Sequence, residues 1–140
     1  MASHLFDRIF GKLRQELEQQ TCRSQQQREA LLDVLVWTMF ADRHIAAPEQ
    51  AEIQREARDL PWESGRSIDL YIDSAVRRAR DVLGRAPAEE AYLADIAARL
   101  EDSAARSRAY EACRELAGAD GELAPAEMDL LERVRVSFGL

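Results

Sequence analysis

The sequence predicts an all-α fold: one domain of about seven helices containing two related helix-turn-helix units. Three observations carry that expectation. Apolar residues recur at three-four spacing along most of the chain. Aromatic residues make up only 6% of 140 residues, while Ala and Leu are abundant. The four Pro and six Gly fall mostly between the periodic segments, where helices end. With 46% hydrophobic residues the chain has enough apolar surface for one core without disulfide or metal staples.

The elements follow in order. Leu5, Phe6, Ile9, Phe10, Leu13 and Leu17 stand at helical spacing and predict an amphipathic first helix over residues 4–20. The polar stretch "QQTCRSQQQ" reads as a linker. Residues 30–41, "ALLDVLVWTMFA", are apolar almost all round, so the second helix is expected to be buried on several sides at the centre of the core. Pro48 suits the first position of a third helix carrying Ile53, Ala57 and Leu60, and Pro61 helps to stop it. Ile68, Tyr71, Ile72, Ala75, Val76, Ala79, Val82 and Leu83 give the clearest periodicity, closed by Gly84. Pro87 opens a fifth helix with Tyr92, Leu93, Ile96 and Leu100 on one face. Ala109, Ala112, Cys113 and Leu116 define a sixth, and Leu130, Leu131, Val134 and Phe138 a seventh.

Residues 41–50, "ADRHIAAPEQ", align without gaps on residues 119–128, "ADGELAPAEM". Asp42 meets Asp120 and Glu49 meets Glu127; beyond the turns Ile53 meets Leu131 and Leu60 meets Phe138. The single domain, residues 1–140, therefore divides into an amphipathic start (1–21), a first unit (30–60), connecting helices (66–102) and a second unit (104–140).

Net charge −7 disfavours a non-specific hold on nucleic-acid phosphates, so no nucleic-acid partner is expected. Cys22 and Cys113 lack the paired spacing of a zinc or redox site, and suit a reducing cytoplasm. Cys22 sits in the polar linker, whereas Cys113 occupies a core-facing position. Asp7, Arg8 and Lys12 interrupt the first apolar segment, so it does not read as a signal peptide. No later run is long enough to span a bilayer. A cytoplasmic location is the expectation.

The second turn has the look of half an ion-binding loop. With Asp120 at the fifth position of a calcium loop, Gly121 falls at the sixth and Glu127 at the twelfth, but Leu116 and Gly118 then stand where the first two acids belong. A structural reading explains the same residues: Asp-Gly makes a tight turn, Pro125 starts a helix, and Glu127 favours the positive end of that helix. The spacing alone favours this structural reading. In the first turn Arg43 replaces the glycine and would oppose a divalent cation, and His44 is a lone histidine.

The string "ADGELAPAE", an apolar helix after it, a "LFDRIFGKL" opening and a buried helix before the first "AD" resemble the tellurite-resistance TerB-like family. The resemblance implies an all-α fold with internal pseudo-symmetry in a bacterial stress-response setting. It also implies a non-enzymatic cytoplasmic binding or scaffolding module whose acidic turns meet a metal ion or a basic partner. Carried over, the motif lands on Asp120, Gly121, Glu122 and Glu127 and, in degenerate form, on Asp42 and Glu49. Asp120, Glu122, Glu127, Asp42 and Glu49 are therefore the candidate ligands for a divalent cation.

A second reading places function on the first helix. Its apolar face, Leu5, Phe6, Ile9 and Phe10, is flanked by Arg8, Lys12 and Arg14, and such a helix docks on a protein partner, on a second copy, or on an anionic membrane surface. Packing on its own bundle is the simpler use of the same face. An enzyme has little support: there are two His, no Gly-rich phosphate loop, no Gly-x-Ser-x-Gly and no Glu-x-x-His pair. The run "RRAR" at residues 77–80 reads as a solvated helix side, and Trp37 and Trp62 read as packing residues.

Overall fold

Residues 30–40 are buried without exception, which is what an apolar run with no polar face demands of its neighbours. The computed structural model describes residues 11, 24–42, 62, 67–117 and 125–140. Among them stand five helices and no strand: α1 Gln25–Asp42, α2 Ile68–Val82, α3 Ala86–Leu100, α4 Ser103–Ala117 and α5 Pro125–Ser137. The all-α class is as expected, but five helices stand where about seven were counted. Apart from Gly11, the expected helices over residues 4–20 and 48–60 lie outside the described residues, as do residues 43–50 and 118–124 of the two acidic turns, on which the internal repeat depends.

α1 is the central element. It packs on α2, α3 and α4 alike and also touches α5. Leu31, Leu32, Leu35 and Trp37 are fully enclosed, and truncating one such leucine to alanine costs about 2–5 kcal/mol. The helix starts earlier than residue 30, inside the stretch expected as linker. Ser24 and Gln27 form a reciprocal capping box: Gln27 N donates to Ser24 Oγ at 3.1 Å and Ser24 N donates to Gln27 Oε1 at 3.3 Å. Buried Gln27 then uses its amide to donate to Leu100 O at 2.7 Å, tying the start of α1 to the end of α3.

Ser67 caps α2, accepting from Leu70 N at 3.4 Å, and Gly84, at φ +77°, ends it as the sequence pattern required. α2 buries Ile68, Tyr71, Ile72, Ala75, Val76 and Ala79. α3 carries Pro87 in its first turn and turns Tyr92, Leu93, Ile96 and Leu100 inward. Beyond it, Glu101 has φ 74° and ψ −62°, with Asp102 N donating to Leu100 O at 2.9 Å, which is a strained γ-turn. Asp102 immediately caps α4, accepting from Ala105 N at 2.7 Å. The inner face of α4 is small (Ala105, Ala109, Ala112, Cys113 and Ala117 are all buried), so it lies close on α1.

α5 buries Leu130 and Leu131, Val134 and the following Phe138. It closes in a Schellman motif around Gly139 at φ 72°: Gly139 N donates to Val136 O and Leu140 N to Arg135 O, each at 3.1 Å. Trp37 is fully buried, and half-buried Trp62 stacks at a tilt on Tyr71 with ring centroids 5.3 Å apart. No helix among the described residues is long and apolar enough to cross a membrane.

Candidate functional site

The residues singled out from the sequence are mostly beyond reach. Leu5, Phe6, Ile9, Phe10, Glu49, Asp120 and Glu122 lie outside the described residues. Asp42 ends α1, with its side chain outside the described part, and Glu127 lies half-buried in the first turn of α5. Among the described residues no three His, Cys, Asp or Glu side chains come together as metal ligands.

Two polar centres were not anticipated. The first is Asp33, the lone acid in the apolar run of α1, with no exposed surface at all. Its Oδ1 accepts from Arg78 Nη2 at 2.7 Å, and its Oδ2 accepts from Arg99 Nη2 at 2.6 Å and from the Tyr71 hydroxyl at 2.9 Å. In the "RRAR" run Arg77 and Arg80 are exposed, as a solvated helix side requires, but Arg78 turns inward to an anion contact because a buried carboxylate needs a countercharge. Burial acts to lower the Arg78 and Arg99 pKa values, yet the Asp33 charge and hydrogen bonds outweigh it and hold both above the ordinary value. Burial, reinforced by the Asp33 charge, pushes the Tyr71 and Tyr92 hydroxyls well above theirs. With both carboxylate oxygens engaged, the centre works as a pin joining α1 to α2 and α3.

The second centre is a groove of about 470 Å³ between α3 and α5. Such a volume lies in the range of roughly 300–1,000 Å³ typical of ligand sites. Leu93 and Val136 supply its apolar surface, and Val136 is 62% exposed, a large aliphatic side chain facing water. Glu89, Glu90 and Glu132 line it against one guanidinium, Arg133. Glu89 is only 4% exposed and accepts from Arg133 Nη1 at 3.1 Å; Arg133 also lies over the Trp37 ring, 5.6 Å from its centroid. That pair closes the floor. Exposed Glu90 and Glu132 form the rim, and hydrogen bonds from Arg135 hold the Glu132 carboxyl below its ordinary pKa.

Glu89 is paired with Arg133 and Glu132 with Arg135, so the exposed Glu90 beside the exposed Val136 is what suits a ligand that is apolar on one side and cationic at its edge. The signals were present in the sequence. Glu89 falls in the stripe that carries Tyr92, Leu93 and Ile96, and Asp33 interrupts an apolar run, two places where an acid on a core face needs a partner. No protein-family model, curated protein or solved structure matches the chain.

Proposed function

We propose that the protein is a non-enzymatic helical binding module that takes a basic, amphipathic segment of a protein partner into the groove between α3 and α5. The observation that carries this reading is the groove itself, where Val136 is exposed over the buried Leu93 and beside Glu90. Apolar side chains of the incoming segment gain about 25 cal/mol for each Å² removed from water there. A Lys or Arg at its edge meets Glu90, which fixes orientation and speeds encounter at low salt. Glu89 and Arg133 already satisfy each other, so no buried charge is left bare on the floor when water leaves.

Calorimetric titration of the full chain with a helical Leu/Lys peptide, and with its Leu/Glu counterpart as control, tests the reading. The Leu/Lys peptide binds, more weakly as salt rises, and either Val136→Asp or Glu90→Lys weakens it roughly tenfold. Equal binding of both peptides, or none, contradicts the reading.

The cytoplasmic, stress-related TerB-like setting belongs to the same proposal, and so does a cation site in the acidic turns. The duplicated spacing of Asp42 and Glu49 with Asp120 and Glu127, beside Glu122, is the support for that site. Titration with calcium, zinc and manganese, against Asp120→Asn, decides it. A parent protein showing neither heat nor thermal stabilisation with any of the three removes the metal.

A further inference from the structure

We propose that the partner segment anchors in the groove between α3 and α5 through the indole of a tryptophan, whose uncharged N–H donates to the second carboxylate oxygen of Glu89. The inference rests on the groove as a binding site and names the side chain that fills it.

Pairing with Arg133 settles the charge of Glu89 but not its hydrogen bonding. Glu89 lines the groove, with only 6% of its side chain exposed. Its Oε1 accepts from Arg133 Nη1 at 3.1 Å, whereas Oε2 accepts no hydrogen bond among the described residues. Nor is Oε2 one of the fully enclosed polar atoms, so it keeps contact with solvent. A segment entering the groove expels that solvent, and a carboxylate oxygen left there without a donor weakens binding. Arg133 is not free to serve both oxygens. Its Nε lies 3.5 Å from Asp129 Oδ2 and its guanidinium 5.6 Å from the Trp37 ring centroid, so it is held on three sides. The incoming segment has to bring the donor.

The same ion pair decides what kind of donor it is. Arg133 already balances the Glu89 charge, and an ammonium or guanidinium at Oε2 would set a second cation beside the first, where like charges repel. An uncharged N–H escapes that repulsion. Ala86, Leu93 and the exposed Val136 give the groove an aliphatic lining, so the donor must ride on a side chain that is mostly hydrocarbon. Indole meets both demands. It is donor-only, and it leaves no lone pair to satisfy against an oxygen that only accepts. The cationic edge of the segment stays at the exposed Glu90.

Calorimetric titration of the unaltered full chain tests the inference with three forms of the Leu/Lys peptide, in which the central leucine becomes tryptophan, tryptophan methylated on the indole nitrogen, or phenylalanine. Methylation keeps the ring and removes the donor. The tryptophan peptide is expected to bind roughly tenfold tighter than the methylated one, which binds about as the phenylalanine peptide does. Its indole N–H proton should show nuclear Overhauser cross-peaks to the Glu89 methylene protons. In Glu89→Gln, once circular dichroism shows it folded, the preference should vanish, because the amide oxygen serves Arg133 and the amide NH₂ then faces the indole donor. Equal affinity for the tryptophan and methylated peptides overturns the inference and leaves the groove reading intact. Missing cross-peaks, or a preference that survives in folded Glu89→Gln, overturn it as well. If no peptide binds the parent chain, the groove reading falls and the inference falls with it.

Discussion

Asp33 is the residue on which three helices converge, and it shows how one side chain fixes an arrangement. Its carboxylate is fully buried, but Arg78 and Arg99 keep side-chain exposures of 38% and 24%, so solvent screens part of the exchange. Asp33→Ala leaves two guanidiniums facing an apolar interior and is expected to cost about 3 kcal/mol, the low end for a broken buried pair. Urea unfolding reads the loss, and a cost within experimental error of zero would refute the pin. Glu101 makes the opposite case. At φ 74° it holds a conformation that strains any side chain, and its own contact, Gln26 Nε2 to Glu101 Oε1 at 3.4 Å, is exposed and weak. Glu101→Gly should therefore raise stability, by about 1 kcal/mol after the entropy of an added glycine. A lowered melting temperature would show that the turn is unstrained. The acid at 33 was visible in the sequence as an anomaly. Its partners were not, because choosing Arg78 and Arg99 among many arginines requires knowing which helices meet.

Helix boundaries divide into those written locally and those set by capping. Periodicity located the apolar faces of α2, α3 and α5, apart from Val82 and Leu83, which are half-buried, and Glu89 and Ala97, which it did not include, since burial repeats every turn wherever a helix has one wet side. It placed the start of α1 too late, because the first turn is polar and is held by Ser24 and Gln27 rather than by core contacts. Ser24→Ala removes the acceptor for Gln27 N and should cost about 1 kcal/mol. Thermal unfolding and amide exchange at residues 25–28 measure it; unchanged exchange there would mean that the Gln27 contact to Leu100 alone holds the start. The groove was half legible for a related reason. Glu89 on an apolar stripe marks α3 as meeting something charged, but only packing reveals that α5 brings Arg133, Glu132 and Val136 alongside.

At the scale of the whole molecule, buried acids make stability depend on alkaline pH. Burial pushes the Cys113 thiol from 9.0 up to about 12, and Tyr71 and Tyr92 are raised from 10.0 by burial and by Asp33. A group with a raised folded pKa contributes fully below its unfolded value and loses that contribution as pH rises toward the folded one. Stability should therefore hold to about pH 9 and then fall by about 1.4 kcal/mol per pH unit for each group that has begun to titrate in the unfolded chain. Urea midpoints from about pH 8 to 11 check this, with Tyr92→Phe flattening the decline; a flat parent profile would contradict it. The fold thus pairs its buried carboxylates, Asp33 and Glu89, with arginines, and the groove between α3 and α5 is where the exposed aliphatic Val136 and an exposed acid, Glu90, coincide. Chemical-shift mapping of the labelled full chain during titration with the Leu/Lys peptide tests that claim most directly. The account predicts saturating shifts centred on Leu93, Val136, Glu90 and Glu132; shifts that leave these residues unmoved, or that gather on another face, would contradict it.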